Sequence, residues 1–309
     1  MVKTPTLSQC IEGYLIAAQA RRLSPHTIAD YSNTFRRLQR FLDADPPIDR
    51  IDVAQVLRFM AGLSHLSKKT ALNIHTGLSA LWRWAETEKL VARNIVREIP
   101  APVPEERAIV PLSQDDVKKL LAAVGKTRPY TRPGKAECSH ELHTALRNRA
   151  IILLLLDTGL RASELAGVRV RNVDQRNRHL TVMGKGSKER SVPFSPPTGQ
   201  AIWRYLATRP DDTTNDALFV STSHRQLNKD DVRRMLGRLA DRAGVQGVHP
   251  HRFRHTFAIN FLRNGGNVYV LKMLLGHSSL DMCLRYLALA ESDSDANHKI
   301  ASPVMNWRL

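Results

Sequence analysis

At 309 residues the chain is long for one small domain, and its length predicts two. Lys and Arg number 46 against 29 Asp and Glu, a formal charge of +17, which points to a polyanionic partner because each neutralised phosphate releases condensed counterions. A membrane role is disfavoured, since the chain has no span of about 18 apolar residues and no long basic amphipathic anchor; the longest apolar run, Ala150 to Leu156, is too short to cross a bilayer.

The first hundred residues read as helices. Ser24-Pro25 is an N-cap with proline at the first helical position. Ile28, Tyr31, Phe35, Leu38 and Leu42 then recur every three or four residues as one apolar stripe, with Arg36, Arg37 and Arg40 largely off it. Pro46-Pro47 separates this helix from a second, which starts near Ser67-Lys68-Lys69-Thr70 and turns Leu72, Leu78, Leu81 and Trp82 inward. Residues 1–100 thus predict a small basic helical bundle. Pro100, Pro102 and Pro104 block helix continuation and make residues 101–108 the best linker candidate.

A second domain, residues 109–290, opens at Ser113-Gln-Asp-Asp116, a capping-box-like start. Asn148 to Leu156 reads as a buried helix, and Thr158-Gly-Leu-Arg161 as a turn into another. His179 to Met183 and Arg190 to Phe194 flank the turn Gly184-Lys-Gly-Ser187, a β-hairpin with Lys185 at its tip. Asp230 to Ala243 is amphipathic, Phe253 to Leu262 is helical, and Asn267 to Leu275 is a helix closed by Gly276. The expectation is a mainly α protein with a small antiparallel sheet. Residues 1–107 carry about +4 and the rest about +13, so both halves are placed to meet the polyanion.

Cys10, Cys138 and Cys283 are scattered and lack metal-ligand spacing, so a reduced, cytoplasmic setting without disulfides is expected. No apolar stretch of a secretory signal follows Met1.

Arg161, Lys185, His251, Arg254 and His277 stand in that order ahead of Tyr286. Attack on a phosphodiester builds negative charge on the non-bridging oxygens, which planar guanidiniums grip bidentately. A phenol with a pKa near 10 is only about one part in a thousand phenolate at pH 7, so its proton must be taken and the departing alkoxide given one. Taken singly, each residue also has a structural explanation. Arg161 could pair with Glu164 on a surface, Lys185 could be a solvated turn lysine, and Tyr286, beside Leu284 and Leu287, could be core. His249, His251 and His255 lack the cysteine or carboxylate that would complete a metal site.

In combination, Thr158-Gly-Leu-Arg-Ala-Ser-Glu-Leu165, Gly184-Lys-Gly-Ser-Lys188, His251-Arg-Phe-Arg254 with His255-Thr-Phe-Ala258, and Leu274-Leu-Gly-His277 with Tyr286 nine residues later resemble the boxes of the tyrosine recombinase (phage integrase) family, in order. The resemblance spans roughly residues 110–290 and includes Xer- and Cre-like site-specific recombinases. It implies Arg161, Arg254 and His277 on the scissile phosphate, with Glu164 supporting Arg161. His251 assists proton transfer at the nucleophile, Lys185 is the general acid with Lys188 as second candidate, and Tyr286 becomes linked to a 3′-phosphate. It further implies no metal or ATP, a double-stranded DNA recombination site, and four protomers working through a Holliday junction. Arg36, Arg37, Arg40, Lys68, Lys69, Lys188 and Arg252 are the candidate DNA contacts. The tail, residues 291–309, ends in Val304, Met305, Trp307 and Leu309 and is expected to dock on a neighbouring protomer. The basic stretch 125–146 is longer than in compact Xer-type enzymes, and no arm-type domain is expected before Thr6. Type IB topoisomerase-like relaxation and a non-catalytic DNA-binding relative are the alternatives.

Overall fold

A computed structural model describes residues 4–105, 108–125, 142–184, 189–209, 216–277 and 279–290. It is mostly helical with one small antiparallel sheet. It divides into two compact units, Met1–Ala108 and Ile109–Leu309.

The first unit is built on α1 (Leu7–Ala20), α2 (Pro25–Leu42), α3 (Val53–Ala61) and α4 (Lys68–Thr87). Each begins at a capping side chain, Thr6, Ser24, Asp52 or Ser67, that accepts the amide proton of the residue three further on. Such a cap contributes about 1 kcal/mol by satisfying an orphan donor of the first turn. The stripe of α2 does bury Phe35 and Leu38 completely, with Ile28, Tyr31 and Leu42 packed at the margin. On α4, Leu78, Leu81 and Trp82 are buried, while Leu72 reaches only half-burial. Tyr14 of α1 sits edge-on to Tyr31, Phe35 and Trp84, tying three helices together. Among the described residues no helix is long and apolar enough to cross a membrane.

In the second unit α5 (Gln114–Ala123) starts at Ser113 in a full capping box. Next, α6 (Ala145–Thr158) is the central buried helix, with Ala150, Ile151, Ile152, Leu154 and Leu155 inaccessible. It stops at Gly159, whose φ of +62° is left-handed, and α7 (Ala162–Gly167) begins directly after Arg161. A three-stranded sheet follows in the order β1 (Val173–Asp174), β2 (His179–Met183), β3 (Glu189–Pro193). Its register pairs Leu180 with Val192 and Val182 with Arg190, which places Arg190 on the same face of β3 as buried Val192. The hairpin matches expectation; β1 is an addition to it.

The remaining helices are α8 (Pro196–Leu206), α9 (Lys229–Ala243), α10 (Pro250–Arg263), α11 (Val268–Leu275) and α12 (Asp281–Ala290). On α9, Val232, Met235, Leu236 and Leu239 are buried as their spacing predicts. The start of α10 is at Pro250, three residues earlier than periodicity suggests, because His249 serves as N-cap and accepts from the Arg252 amide. His251, Arg254 and His255 therefore share one rigid helix, which packs against α6, α11 and α12. Lys185, Lys188 and residues 291–309 lie outside the described residues, as does most of the 125–146 insertion. The two ends of that insertion meet, Leu142 donating its amide proton to the Gly125 carbonyl at 2.9 Å.

Candidate active site

The turn after α6 sets the first arginine. A Cβ on Gly159 would lie 2.5 Å from Phe257 Cδ1 and 2.9 Å from Leu275 Cδ2, so only glycine lets this turn approach α10 and α11. Two residues on, the Arg161 amide donates to Glu164 Oε2 at 2.9 Å and its Nη1 to Glu164 Oε1 at 2.8 Å. Glu164 is buried and also receives Arg190 bidentately, Nη1 to Oε1 at 3.0 Å and Nη2 to Oε2 at 2.9 Å. Burial works to raise this carboxyl, but hydrogen bonds and charge from Arg190 and Arg161 outweigh it and hold it below the usual range.

The end of α11 gathers the cations. Arg161 Nη1 reaches the Leu275 carbonyl at 3.4 Å, Arg254 Nη2 the same oxygen at 2.7 Å, and Arg190 Nε the Leu274 carbonyl at 2.8 Å. Arg254, only 3% exposed, completes its bonds with Nη1 on the Gly159 carbonyl at 2.9 Å. Burial first and the neighbouring Arg161 second push it down to about 10, which leaves it a cation at neutral pH. Gly276 closes α11 at φ +63°, and a Cβ there would sit 3.0 Å from Arg190 Nη1. Carbonyls at a helix C-terminus attract cations, but they carry only partial charge. Three guanidiniums thus gather at the end of α11, two of them on the Glu164 carboxylate and the third on carbonyls alone, an excess of positive charge that an anion is needed to balance.

Facing this excess is a cavity of about 1050 Å³ lined by Arg161, Glu164, Arg190, His251, Arg254, His255, His277 and Tyr286. The hairpin stem opens at it too, through Met183, Gly184 and Glu189. Tyr286 lines the cavity from α12, yet its ring is 1% exposed and packs among Ile259, Leu262, Leu271 and Cys283. Tyr286 is thus both part of the core and part of the cavity wall. Burial raises the phenol above its ordinary pKa, with Arg254 pulling the other way. Its Oη lies 2.8 Å from His255 Nδ1, and the His277 ring stacks beside it at 6.4 Å between centroids. His277 Nδ1 is 3.2 Å from Cys283 Sγ. Burial, then Arg254, Arg161 and Arg190, push His277 down to about 4. Burial, with His251, His249, Arg254 and Arg285 behind it, does the same to His255. Both rings are neutral at pH 7. His251 is shifted down as well, by burial and then by Arg254.

Of the residues singled out from sequence, Arg161, Glu164, His251, Arg254, His277 and Tyr286 come together here. Arg252 does not line the cavity: its guanidinium is engaged by the carbonyls of Val110, Gln246 and Pro111. Arg36, Arg37 and Arg40 are exposed on α2, and Lys68 and Lys69 at the start of α4, Lys68 paired with Glu105 at 2.7 Å. Two residues went unassigned from sequence. Arg190 had a signal, a charge on the buried face of an alternating strand. His255 sat inside a quoted box, but nothing local ties it to a tyrosine 31 residues away. Among the described residues no three His, Cys, Asp or Glu side chains gather as a metal-holding group.

Fold and site together define an anion-binding cleft with a tyrosine in reach, on a mostly helical scaffold. The model of the phage integrase family matches residues 111–293, and that of the phage integrase N-terminal SAM-like domain matches residues 11–89. The chain is 31% identical over 293 residues to the tyrosine recombinase XerD of Mycobacterium tuberculosis, covering 89% of this chain and 91% of that one. It is 33% identical over 271 residues to the tyrosine recombinase XerC of Alcanivorax borkumensis, covering 85% and 83%. The solved Tn1549 transposon integrase in complex with a circular intermediate DNA shares the fold, with a TM-score of 0.73 at 21% identity over 96% of this chain and 98% of that one. This chain belongs to the phage integrase family and is a tyrosine-type site-specific recombinase.

Proposed function

We propose that the protein cuts and rejoins strands of a specific double-stranded DNA site through a covalent 3′-phosphotyrosine at Tyr286. The observation that carries this reading is the gathering of Arg161, Arg190 and Arg254 at the end of α11, with the Glu164 carboxylate bonding the first two, in a cavity that Tyr286 also lines. A phosphodiester seated there would be gripped by Arg161 and Arg254, with His277 donating to a non-bridging oxygen. Charge developing in the transition state meets donors already held in place, each typically contributing about 10²–10³ in rate. His251, on the cavity wall, assists proton movement on the nucleophile's side. Lys185 is the acid that protonates the departing 5′ oxygen, and Lys188 is the second candidate. The ester conserves the bond energy, so rejoining draws on neither ATP nor a metal.

Arg36, Arg37, Arg40, Lys68 and Lys69 are exposed and meet DNA backbone, Lys68 by giving up its Glu105 partner, whereas Arg252 is withdrawn from that role by its carbonyl contacts. Four protomers on two duplexes, exchanging one strand pair at a time through a Holliday junction, complete the reading, with residues 291–309 docking between neighbours. Relaxation of one duplex by a type IB topoisomerase uses the same phosphate chemistry, but similarity to recombinases over nearly the whole chain favours strand exchange.

The test uses a duplex selected by this protein from a random-sequence pool, then nicked so that cleavage is irreversible. An SDS-stable protein–DNA adduct is expected in the presence of EDTA, and Tyr286→Phe is expected to abolish it. An adduct that survives Tyr286→Phe would remove the assignment of the nucleophile.

A further inference from the structure

We infer that His255 is a catalytic residue, the group that takes the Tyr286 proton as the phenol attacks and returns it on rejoining. This deepens the phosphotyrosine reading above and rests on it. Nδ1 of His255 is 2.8 Å from Tyr286 Oη, within direct proton-transfer reach, and the two rings meet at 5.6 Å between centroids. No hydrogen bond joins His251 to the tyrosine; it lines the same cavity one helical turn earlier on α10. Both partners sit on rigid elements, His255 one residue beyond phosphate-gripping Arg254 on α10 and Tyr286 on α12, and these helices pack directly together. A base held to a nucleophile by two packed helices needs no rearrangement to meet it.

The charge around the pair supports the assignment. His255 is neutral at pH 7, chiefly through burial and then through His251, His249, Arg254 and Arg285, so in the tautomer with its one ring proton on Nε2, Nδ1 accepts from the Tyr286 hydroxyl. A phosphodiester on Arg161 and Arg254 brings a negative charge that acts in the opposite sense, strengthening the base only when substrate is in place. In the forward step the Oη–H proton moves to Nδ1, the Oη–P bond forms, the P–O5′ bond breaks, and the 5′ oxygen leaves with a proton from the acid, assigned above to Lys185. On rejoining, imidazolium His255 protonates Tyr286 as it departs.

A buried tyrosine hydroxyl also wants a partner for structural reasons alone, so the test separates chemistry from packing. Single-turnover cleavage of the selected, nicked duplex is compared for wild type, His255→Asn, whose side-chain oxygen can accept a hydrogen bond but not a proton, and His255→Ala with added imidazole. His255→Asn should cleave about 10²–10⁴ times more slowly while binding the duplex normally. A 5′-bridging phosphorothiolate, which leaves without a proton, should not restore it, whereas the same substrate should restore Lys185→Ala. Imidazole should speed His255→Ala in proportion to its free-base concentration. His255→Asn cleaving within threefold of wild type, or rescue of its defect by the phosphorothiolate, would overturn the inference. Either result alongside a Tyr286-dependent adduct leaves the phosphotyrosine reading standing; loss of Tyr286 dependence removes that reading instead.

Discussion

Glu164 accepts hydrogen bonds from two guanidiniums and a backbone amide, and it is the carboxylate on which Arg161 and Arg190 meet. Removing one member of a buried ion pair leaves uncompensated charge and typically costs about 3–5 kcal/mol. Glu164→Gln should therefore be markedly less stable to urea at pH 7. The pH dependence has a definite sign. The folded carboxyl titrates below its unfolded value, so its contribution is fully present above about pH 4.3 and fades as pH falls through the lower folded value. Wild type and Glu164→Gln should accordingly converge in stability toward low pH, and urea midpoints measured from pH 7 to pH 3 would check it. The same residue shows why side-chain type alone misleads. Read locally, Arg161 and Glu164 form an ordinary i, i+3 pair, and that pair exists. Arg190, 26 residues away, turns it into a buried cluster that ties α7 to β3.

Among the elements, legibility followed locality. The stripe of α2, the caps at Ser24, Ser67 and Ser113, and the β2–β3 hairpin depend on neighbours in sequence and were readable there. The helices α1 and α3 were not singled out, although Thr6 and Asp52 open both with capping boxes. The short strand β1, two residues long, carries no period at all. The boxes that line the cleft were legible as an ordered pattern. The contacts that make them work, Arg190 on Glu164 and His255 on Tyr286, are set by tertiary packing of β3, α10 and α12, which no local spacing encodes. Gly159 joins the two levels, being both a helix stop and a packing surface. Gly159→Ala adds a methyl between Phe257 and Leu275 in a left-handed backbone, and overpacking of this kind alone costs about 1–3 kcal/mol. A lowered thermal midpoint together with slowed strand cleavage is expected; a midpoint equal to wild type would show that the turn yields more freely than its packing implies.

On the scale of the whole molecule, the charge of +17 is spread over both units rather than confined to the cleft. Counterion release makes such binding steeply salt-dependent. A protein with roughly 6–10 phosphate contacts loses about 10³–10⁵ in affinity between about 50 and 200 mM salt. Replacing Arg36, Arg37 and Arg40 singly by alanine should weaken duplex binding similarly across sequences, each true phosphate contact lowering the salt slope by about one. Arg252→Ala should leave that slope unchanged and act on stability instead, since its guanidinium fastens α10 to Val110 and Pro111. Fluorescence anisotropy titrations across a salt series distinguish the two cases.

Arg161, Arg190 and Arg254 come from the start of α7, from β3 and from α10, yet all three rest on two successive carbonyls, Leu274 and Leu275, at the end of α11. Three arms bolted to one bracket cannot be retuned separately. A shift of that helix end moves all three guanidiniums together, so the cleft is either set or slack as a unit. Whatever bears on the last turn of α11 governs the readiness of the whole site without touching a reacting atom.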